Sequence, residues 1–428
     1  MTDQPPLELS GVSRVMIDVG TKGFGVAGDP LPLGAVADQG WSLDDLPPPT
    51  MVLRRSAIDH NVALMAAFCR AHAVDLAPHG KTTMAPQLWD LQLRAGAWGI
   101  TAASVGQVRV MRETGVRRVL LANELVDPWS ISWIADQLTD PAFGFVCYVD
   151  SARSVSILSD ELARRSAPRP LPVVVELGHA GGRTGSRSVE EAIEVARLAQ
   201  DEPALQLVGV AGYEGTICHE RDEGCLGAVR AFLDELRRLT DALIQASAFE
   251  GEEVLVSAGG SIFFDLVVER LAGGWPAGDH VRLLLRSGCY LTHDSGLYER
   301  LSPLAAVLDP AARFRPALEV WSRVLSRPEP DLAILGMGKR DVAFDFDAPI
   351  PLLRRTAAGD QIDVKGRLEV IGLNDQHAFC RLRPGLPLDV GDVVMSGISH
   401  PCTAFDKWRA IPVLDDDDRV VDAVATFF

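Results

Sequence analysis

The chain has 428 residues, 47% of them hydrophobic and 23% charged. That is the balance of a folded globular protein, and at roughly 150 residues per domain the length predicts two or three domains. Lys and Arg number 41 against 58 Asp and Glu, a net charge of −17, which argues against binding nucleic acid or anionic membranes. Seven cysteines (Cys69, Cys147, Cys218, Cys225, Cys289, Cys380 and Cys402) lack a staple-like spacing, so reduced thiols in a cytoplasmic protein are expected. MTDQPPLELS shows no secretory signal, and no run of about 18 apolar residues could span a bilayer.

Residues 1–50 are rich in Gly and Pro, end in the breaker run LPPPT, and predict an irregular N-terminal extension feeding one strand, MVLRR, at 51–55. A helix is predicted over 56–73. Eight apolar runs then read as strands: 74–78, 98–104, 117–123, 143–150, 171–178, 205–215, 253–260 and 280–288. Amphipathic stretches separate them, at 83–95, 105–114, 128–138, 151–165, 188–200, 225–248 and 261–271. Continuous apolar strands alternating with helices indicate parallel strands buried on both faces, and eight such units predict a (β/α)8 barrel over 51–300. An open doubly wound sheet is the alternative, disfavoured because no GxGxxG follows the first strand. From 301 to 428 the pattern turns β-rich, with strands expected at 318–328, 331–338, 366–382 and 392–401. The Asp run at 415–418 reads as a solvated loop.

Barrel chemistry lies in the loops after the strands. The first strand is followed by Pro78-His79-Gly80-Lys81-Thr82, the fifth by a loop containing Gly182-Arg183-Thr184, and the sixth by Tyr213-Glu214-Gly215. The seventh ends in Ser257-Ala258-Gly259-Gly260-Ser261 and the eighth in Arg286-Ser287-Gly288-Cys289-Tyr290. Gly- and Ser-rich loops after strands seven and eight suit a phosphate, whose oxygens take bare backbone N–H groups. A lysine at the first strand's end suggests pyridoxal 5'-phosphate held as a Schiff base. In the β-rich part, His400 and Cys402 can both reach one ion and suit Zn²⁺ better than Mg²⁺. A rival metal cluster can be drawn from Cys218, His219, Glu220, Asp222 and Cys225, although a polar loop is the plainer reading. His60 and His72 read as surface or packing residues, His280, His293 and His377 have no assigned role, and Trp89, Trp98 and Trp321 read as core.

PHGKT, GGRTG, SAGGS and RSGCY, in this order on these strand ends, resemble the pyridoxal phosphate enzymes of the alanine racemase fold (fold type III). Within that fold the chain is similar to the D-serine dehydratase and D-threonine aldolase group, over roughly residues 50–428. The resemblance implies that Lys81 is the Schiff-base lysine and that Arg183 approaches the cofactor's phenolic oxygen. It implies that Gly259, Gly260 and Ser261 cradle the phosphate with Gly288 and Cys289 beside them, and that Tyr213 lies near the pyridine ring; His79 and Ser257 are further candidate cofactor-binding residues. It also implies that His400 and Cys402 hold a divalent metal, Zn²⁺ by donor type; aldolases of the group tend to carry His and Asp instead. The expected reaction is dehydration and deamination of a D-serine-like 3-hydroxyamino acid to a 2-oxo acid and ammonia, by a homodimer acting on a small amino acid. A D-threonine-like retro-aldolase stays open, with His179 or His219 as base. An alanine racemase-like enzyme and a non-catalytic pyridoxal phosphate carrier also stay open.

Overall fold

The eight apolar runs become eight parallel strands. In the computed structural model, which describes residues 4–276, 278–356 and 358–428, they are Asp75–Leu76, Ile100–Ala102, Arg118–Glu124, Gly144–Val149, Leu171–Leu177, Leu205–Gly212, Val254–Ala258 and Val281–Leu285. Each pairs with its neighbours in chain order. The sheet closes. Asp75 and Leu76 lie beside Leu284 and Leu285, while Trp98 N donates to Leu76 O at 2.7 Å and Thr101 N to Pro78 O at 2.9 Å. Closure excludes the doubly wound alternative, because an open sheet leaves both edge strands unpaired on one side.

Local chemistry fixes where each helix starts. Ser104, Asp127, Ser151, Ser188 and Asp222 each accept the backbone N–H three residues on, satisfying a donor that the first helical turn leaves orphaned. Leu120, Val146, Tyr148, Val174, Ala211, Leu255 and Leu284 meet in one buried cluster, one residue or more from six of the strands. No described helix is long and apolar enough to cross a membrane.

The second architecture is antiparallel. Leu318–Glu329 pairs with Val393–Gly397, Leu332–Leu335 and Thr50–Arg54, in a sheet of ten strands. The stretch expected as one strand over 366–382 is a hairpin, Leu368–Leu373 with Ala378–Leu382. Ile350–Arg355, Gln361–Asp363, Ala410–Leu414 and Val420–Ala425 are further strands that the sequence pattern did not predict.

The boundaries differ from those expected at 50 and 300. Ala66–Lys81 and Gln92–Gly288 form one unit, with a short N-terminal piece ending at Pro6; Leu7–Met65, Thr82–Leu91 and Cys289–Phe428 form the other. The reason is packing. Met51 and Leu53 are fully buried in the same cluster as Leu318, Val320 and Val394, so the strand at 50–54 belongs to the β-rich unit and not to the barrel. The N-terminal extension is irregular but not loose, since Val12, Ile17, Leu33, Val36 and Leu43 are buried with Val52 and Trp321. Its residues 1–3 lie outside the described residues. The Asp run is more than a solvated loop, because Asp418 Oδ1 accepts from Arg54 Nη1 at 2.6 Å.

The expectation of seven reduced thiols is also corrected. Cys218 and Cys225 are joined in a disulfide and the other five are free. The seven-residue separation was read as irregular spacing. The turn before the helix Glu223–Gln245 brings the two together.

Candidate active site

Side chains alternate along a strand, so residues two apart share a face. From the buried cluster inside the barrel that rule leads to polar groups at the strands' C-terminal ends. Val174 is followed by Glu176, Leu255 by Ser257, Leu284 by Arg286, and Ala122 by Glu124. Arg286 is 4% exposed; its Nη1 donates to Ser257 Oγ and its Nη2 to Gly212 O, both at 2.7 Å. Burial, then the positive charges of Lys81, Arg286 and Arg183, holds His79 well below the ordinary imidazole pKa and keeps it neutral. The four groups therefore share one electrostatic neighbourhood.

An acidic pair faces them. Burial first, then Glu176 and Asp150, pushes the Glu124 carboxyl up to about 8. Glu124 Oε1, Glu176 Oε2, Tyr148 Oη and His79 Nδ1 are buried atoms with no hydrogen-bond partner among the described residues. Buried polar atoms are normally satisfied, so four orphans on the barrel strands and their ends mark a place built to meet a polar guest.

The loop after the seventh strand is where a phosphate cradle was expected. Gly259 N and Gly260 N do converge on an anion, but the anion is the chain's own Glu214 carboxylate, at 3.1 and 2.7 Å. Glu214 is fully buried. Two successive amides aimed at one point attract the nearest negative group, and Glu214, next to Tyr213, supplies it. Ser261 has no hydrogen-bond partner among the described residues, which leaves it as the donor on that loop. A Cβ on Gly260 would lie 3.0 Å from Tyr213 Cε2, and Arg183 sits over the Tyr213 ring at 4.6 Å.

These residues fit pyridoxal phosphate. Lys81 Nζ has no hydrogen bond or ion pair among the described residues, so the amine is not committed to a carboxylate. Three cationic side chains stand ready for an anionic cofactor, and the orphaned atoms give its polar edge partners.

The β-rich unit holds a second constellation. Cys289 Sγ lies 3.5 Å from Cys402 Sγ, and one donor atom each from Cys289, His400 and Cys402 lies within 4.8 Å of the others. Cys402 Sγ is 3.5 Å from Thr82 Oγ1. Asp345 Oδ2 pairs with His400 Nδ1 at 2.5 Å, a contact that orients the imidazole as carboxylates orient metal-binding histidines. Burial opposes the charge on His400, yet the Cys402 sulfur and Asp345 push it up to about 9. The hydrogen bond from Cys289, with His400 and Thr82, holds Cys402 well below an ordinary thiol against its burial, while Cys289 is raised. Two sulfurs and an imidazole make a soft donor set that fits a divalent ion such as zinc.

The backbone under His400 is held deliberately. His400 sits at φ 71°, a left-handed conformation that costs a non-glycine residue on the order of 1–3 kcal/mol. Its N–H donates to Asp294 Oδ2 at 2.8 Å, and Asp294 Oδ1 also accepts from Gly296 N and Tyr298 N.

Of the residues predicted from sequence, His79, Lys81, Arg183, Tyr213, Ser257, Gly259, Gly260, Ser261 and Gly288 fall in the barrel unit, whereas Cys289 falls in the other unit with His400 and Cys402. The rival cluster at 218–225 is no metal site: its two thiols are spent in the disulfide, and Asp222 caps the following helix. His60 binds Arg313 O and His293 meets Glu299, outside both constellations. Glu124, Tyr148, Glu176 and Arg286 were missed. Their signal was present as a charged or hydroxyl-bearing residue inside an apolar strand, as in VVVEL and FVCYV.

The family model described as alanine racemase, N-terminal domain, matches residues 53–272, just over half of the chain. The chain belongs to this family. It is a pyridoxal phosphate enzyme fold of the D-serine dehydratase and D-threonine aldolase-like group, and a second model, a putative serine dehydratase domain, matches residues 317–414. A D-threonine aldolase of Arthrobacter sp is 27% identical over 386 residues, covering 89% of this chain and 92% of that protein. Among solved structures, the D-threonine aldolase from Filomicrobium marinum superposes with a TM-score of 0.73 at 22% identity, covering 90% of this chain and 97% of the other. The D-threo-3-hydroxyaspartate dehydratase from Delftia sp. HT23 gives 0.71 at 20% identity over 90% and 99%. Histidine-to-alanine and cysteine-to-alanine mutants of a dehydratase of that name, the latter in the metal-free form, give 0.72 and 0.71 at 19% and 20% identity, over 92% and 90% of this chain and 98% and 99% of theirs.

Proposed function

We propose that the protein is a pyridoxal phosphate- and metal-dependent dehydratase of D-serine-like 3-hydroxyamino acids, converting D-serine to pyruvate and ammonium. The observation that carries this reading is the donor set of His400 and Cys402, two residues apart, with Asp345 orienting the imidazole. The two positions mutated in the dehydratase of known structure are also a histidine and a cysteine two residues apart, and the cysteine mutant is the metal-free form. Two sequence junctions support the assignment: Thr82 directly follows Lys81, and Cys289 directly follows Gly288.

Lys81 Nζ would hold the cofactor's aldehyde and, once the substrate amine takes its place, act as the base on the α-hydrogen. Pyridoxal phosphate supplies the electron sink that makes this hydrogen acidic. Arg183 and Arg286 hold anionic charge, and neutral His79 can donate or accept without adding another cation. A β-hydroxyl leaves poorly; His400 and Cys402 would hold a divalent ion, which would supply a Lewis acid for its departure. Loss of hydroxide and hydrolysis of the resulting enamine balance as one water out and one water in.

A retro-aldolase is the second reading, favoured by the D-threonine aldolase relative. It needs a base for the β-hydroxyl proton; His179, whose Nε2 lies 2.9 Å from Thr216 Oγ1, is the candidate. The deciding experiment incubates protein, cofactor and Zn²⁺ with D- and L-serine, threonine and 3-hydroxyaspartate. Oxo acid and ammonia from D-serine support dehydration, whereas glycine plus an aldehyde, without oxo acid, overturns it. The chain is further proposed to work as a homodimer in the cytoplasm, which light scattering and cell fractionation test.

A further inference from the structure

We propose that Cys289 is a third protein ligand of the metal, so that the centre is a two-thiolate, one-imidazole set rather than the His400–Cys402 pair alone. The proposal rests on the metal-dependent reading above and deepens it. Its first support is distance. Sulfurs bound to one tetrahedral zinc at about 2.3 Å stand about 3.8 Å apart, and Cys289 Sγ and Cys402 Sγ stand 3.5 Å apart as free thiols. Binding an ion therefore asks each sulfur to move by only a few tenths of an ångström.

The second support is what surrounds Cys289. The side chain is buried, yet it does not sit in apolar packing. Its sulfur meets Cys402 Sγ and, at 3.9 Å, Thr82 Oγ1, both able to pair with a charged thiolate. Cys380 shows the contrast: it lies in the apolar cluster, and its sulfur's sole polar partner among the described residues is the backbone oxygen of Ala378 at 4.0 Å.

The third support is that the segment carrying Cys289 also positions His400. Asp294, five residues after Cys289, holds the backbone N–H of His400, so the loop carrying one ligand fixes the strained residue carrying the next.

Three protein ligands have consequences. Two thiolates and a neutral imidazole neutralise a divalent charge and select thiophilic ions over Mg²⁺ or Mn²⁺. A tetrahedral ion keeps one open position, which admits a single substrate oxygen, the arrangement of catalytic sites with three protein ligands.

The test counts thiolates and does not depend on turnover. Reduced full-length protein with pyridoxal phosphate bound is stripped with chelator and titrated with Co²⁺, whose thiolate charge-transfer absorption lies in the near ultraviolet. Cys289→Ser should lower that band by about half, as Cys402→Ser should, and each should weaken Co²⁺ binding by at least about tenfold. If Cys289→Ser keeps the wild-type band and affinity while Cys402→Ser loses both, Cys289 is no ligand and the metal-dependent reading survives. If wild type shows no thiolate band, both fall. Zinc-edge X-ray absorption of the unmutated protein covers the case in which a variant fails to fold: two sulfurs are expected, and one or none overturns the proposal.

Discussion

Glu214 offers a quantitative check on the barrel-mouth geometry, because a fully buried carboxylate takes two successive amides, Gly259 N at 3.1 Å and Gly260 N at 2.7 Å. In Glu214→Gln the side-chain oxygen can keep one of these bonds, but the new NH₂ confronts the other N–H. One hydrogen bond to a charged group, worth about 1.5–3 kcal/mol, is lost, and a buried N–H is left unpaired at about 1–3 kcal/mol more, so a loss of about 3 kcal/mol is expected. Urea unfolding of the cofactor-free protein, followed by far-ultraviolet circular dichroism, measures it. The same titration at saturating pyridoxal phosphate adds a second arm. If the phosphate takes the two amides from Glu214 on binding, the penalty should shrink there; if Glu214 keeps them and Ser261 serves the phosphate, the penalty should persist. A Glu214→Gln protein within about 0.5 kcal/mol of wild type without cofactor would refute the claim that this carboxylate holds the loop.

Lys81→Ala should abolish both the visible absorption of bound pyridoxal phosphate and turnover; a borohydride-reduced adduct mapping to another lysine would sink the assignment. Chelation, or His400→Ala, should leave that absorption in place while suppressing dehydration by several kcal/mol of barrier, roughly a thousandfold; unimpaired activity after exhaustive chelation counts against a metal-assisted step. Glu124 should show in the pH dependence of stability. Its folded-state pKa is raised from 4.5 to about 8, so folding retains a proton that the unfolded chain releases, and stability from this group is present below 4.5 and lost as pH rises to 8. Glu124→Gln in cofactor-free protein should therefore be level with wild type at acid pH and more stable by about 1–3 kcal/mol at pH 8, the partial exposure of the carboxyl reducing the full shift. Equal stability curves across that range would show that the pair with Glu176 is not strained.

The barrel was legible because its strands are apolar throughout. Runs such as LPVVVEL and RVLLANE sit between helices whose starts are marked by Ser or Asp caps, and period and cap agree on the same boundaries. Lys81, Gly259 and Gly260 were legible as strand-end residues for the same reason. The β-rich unit was harder. Thr50–Arg54 pairs with Leu318–Trp321 across more than 260 positions, and no local pattern announces a partner that distant. Cys289 was read with the phosphate loop because it follows Gly288, whereas its thiol joins Cys402, 113 residues away. Glu214 stands in the sequence as one residue of the loop after the sixth strand, and only the fold shows which amides it serves.

Those misses share a physical cause that bears on the chemistry. A strand's period states which face a residue takes, and a glycine states where backbone can come close; neither states which opposite charge fills the space. The barrel strands and their ends carry two carboxylates, Glu124 and Glu176, and the cations Lys81, Arg183 and Arg286, yet Glu124 is held protonated and Lys81 is left without a carboxylate partner. Glu124 beside Glu176, and no carboxylate on Lys81, leaves the amine uncommitted to an ion pair and leaves buried, unpartnered oxygens on Glu124 and Glu176. That trade is intelligible for a site that must receive a cofactor, and it has no use in a barrel that only needs to stay folded.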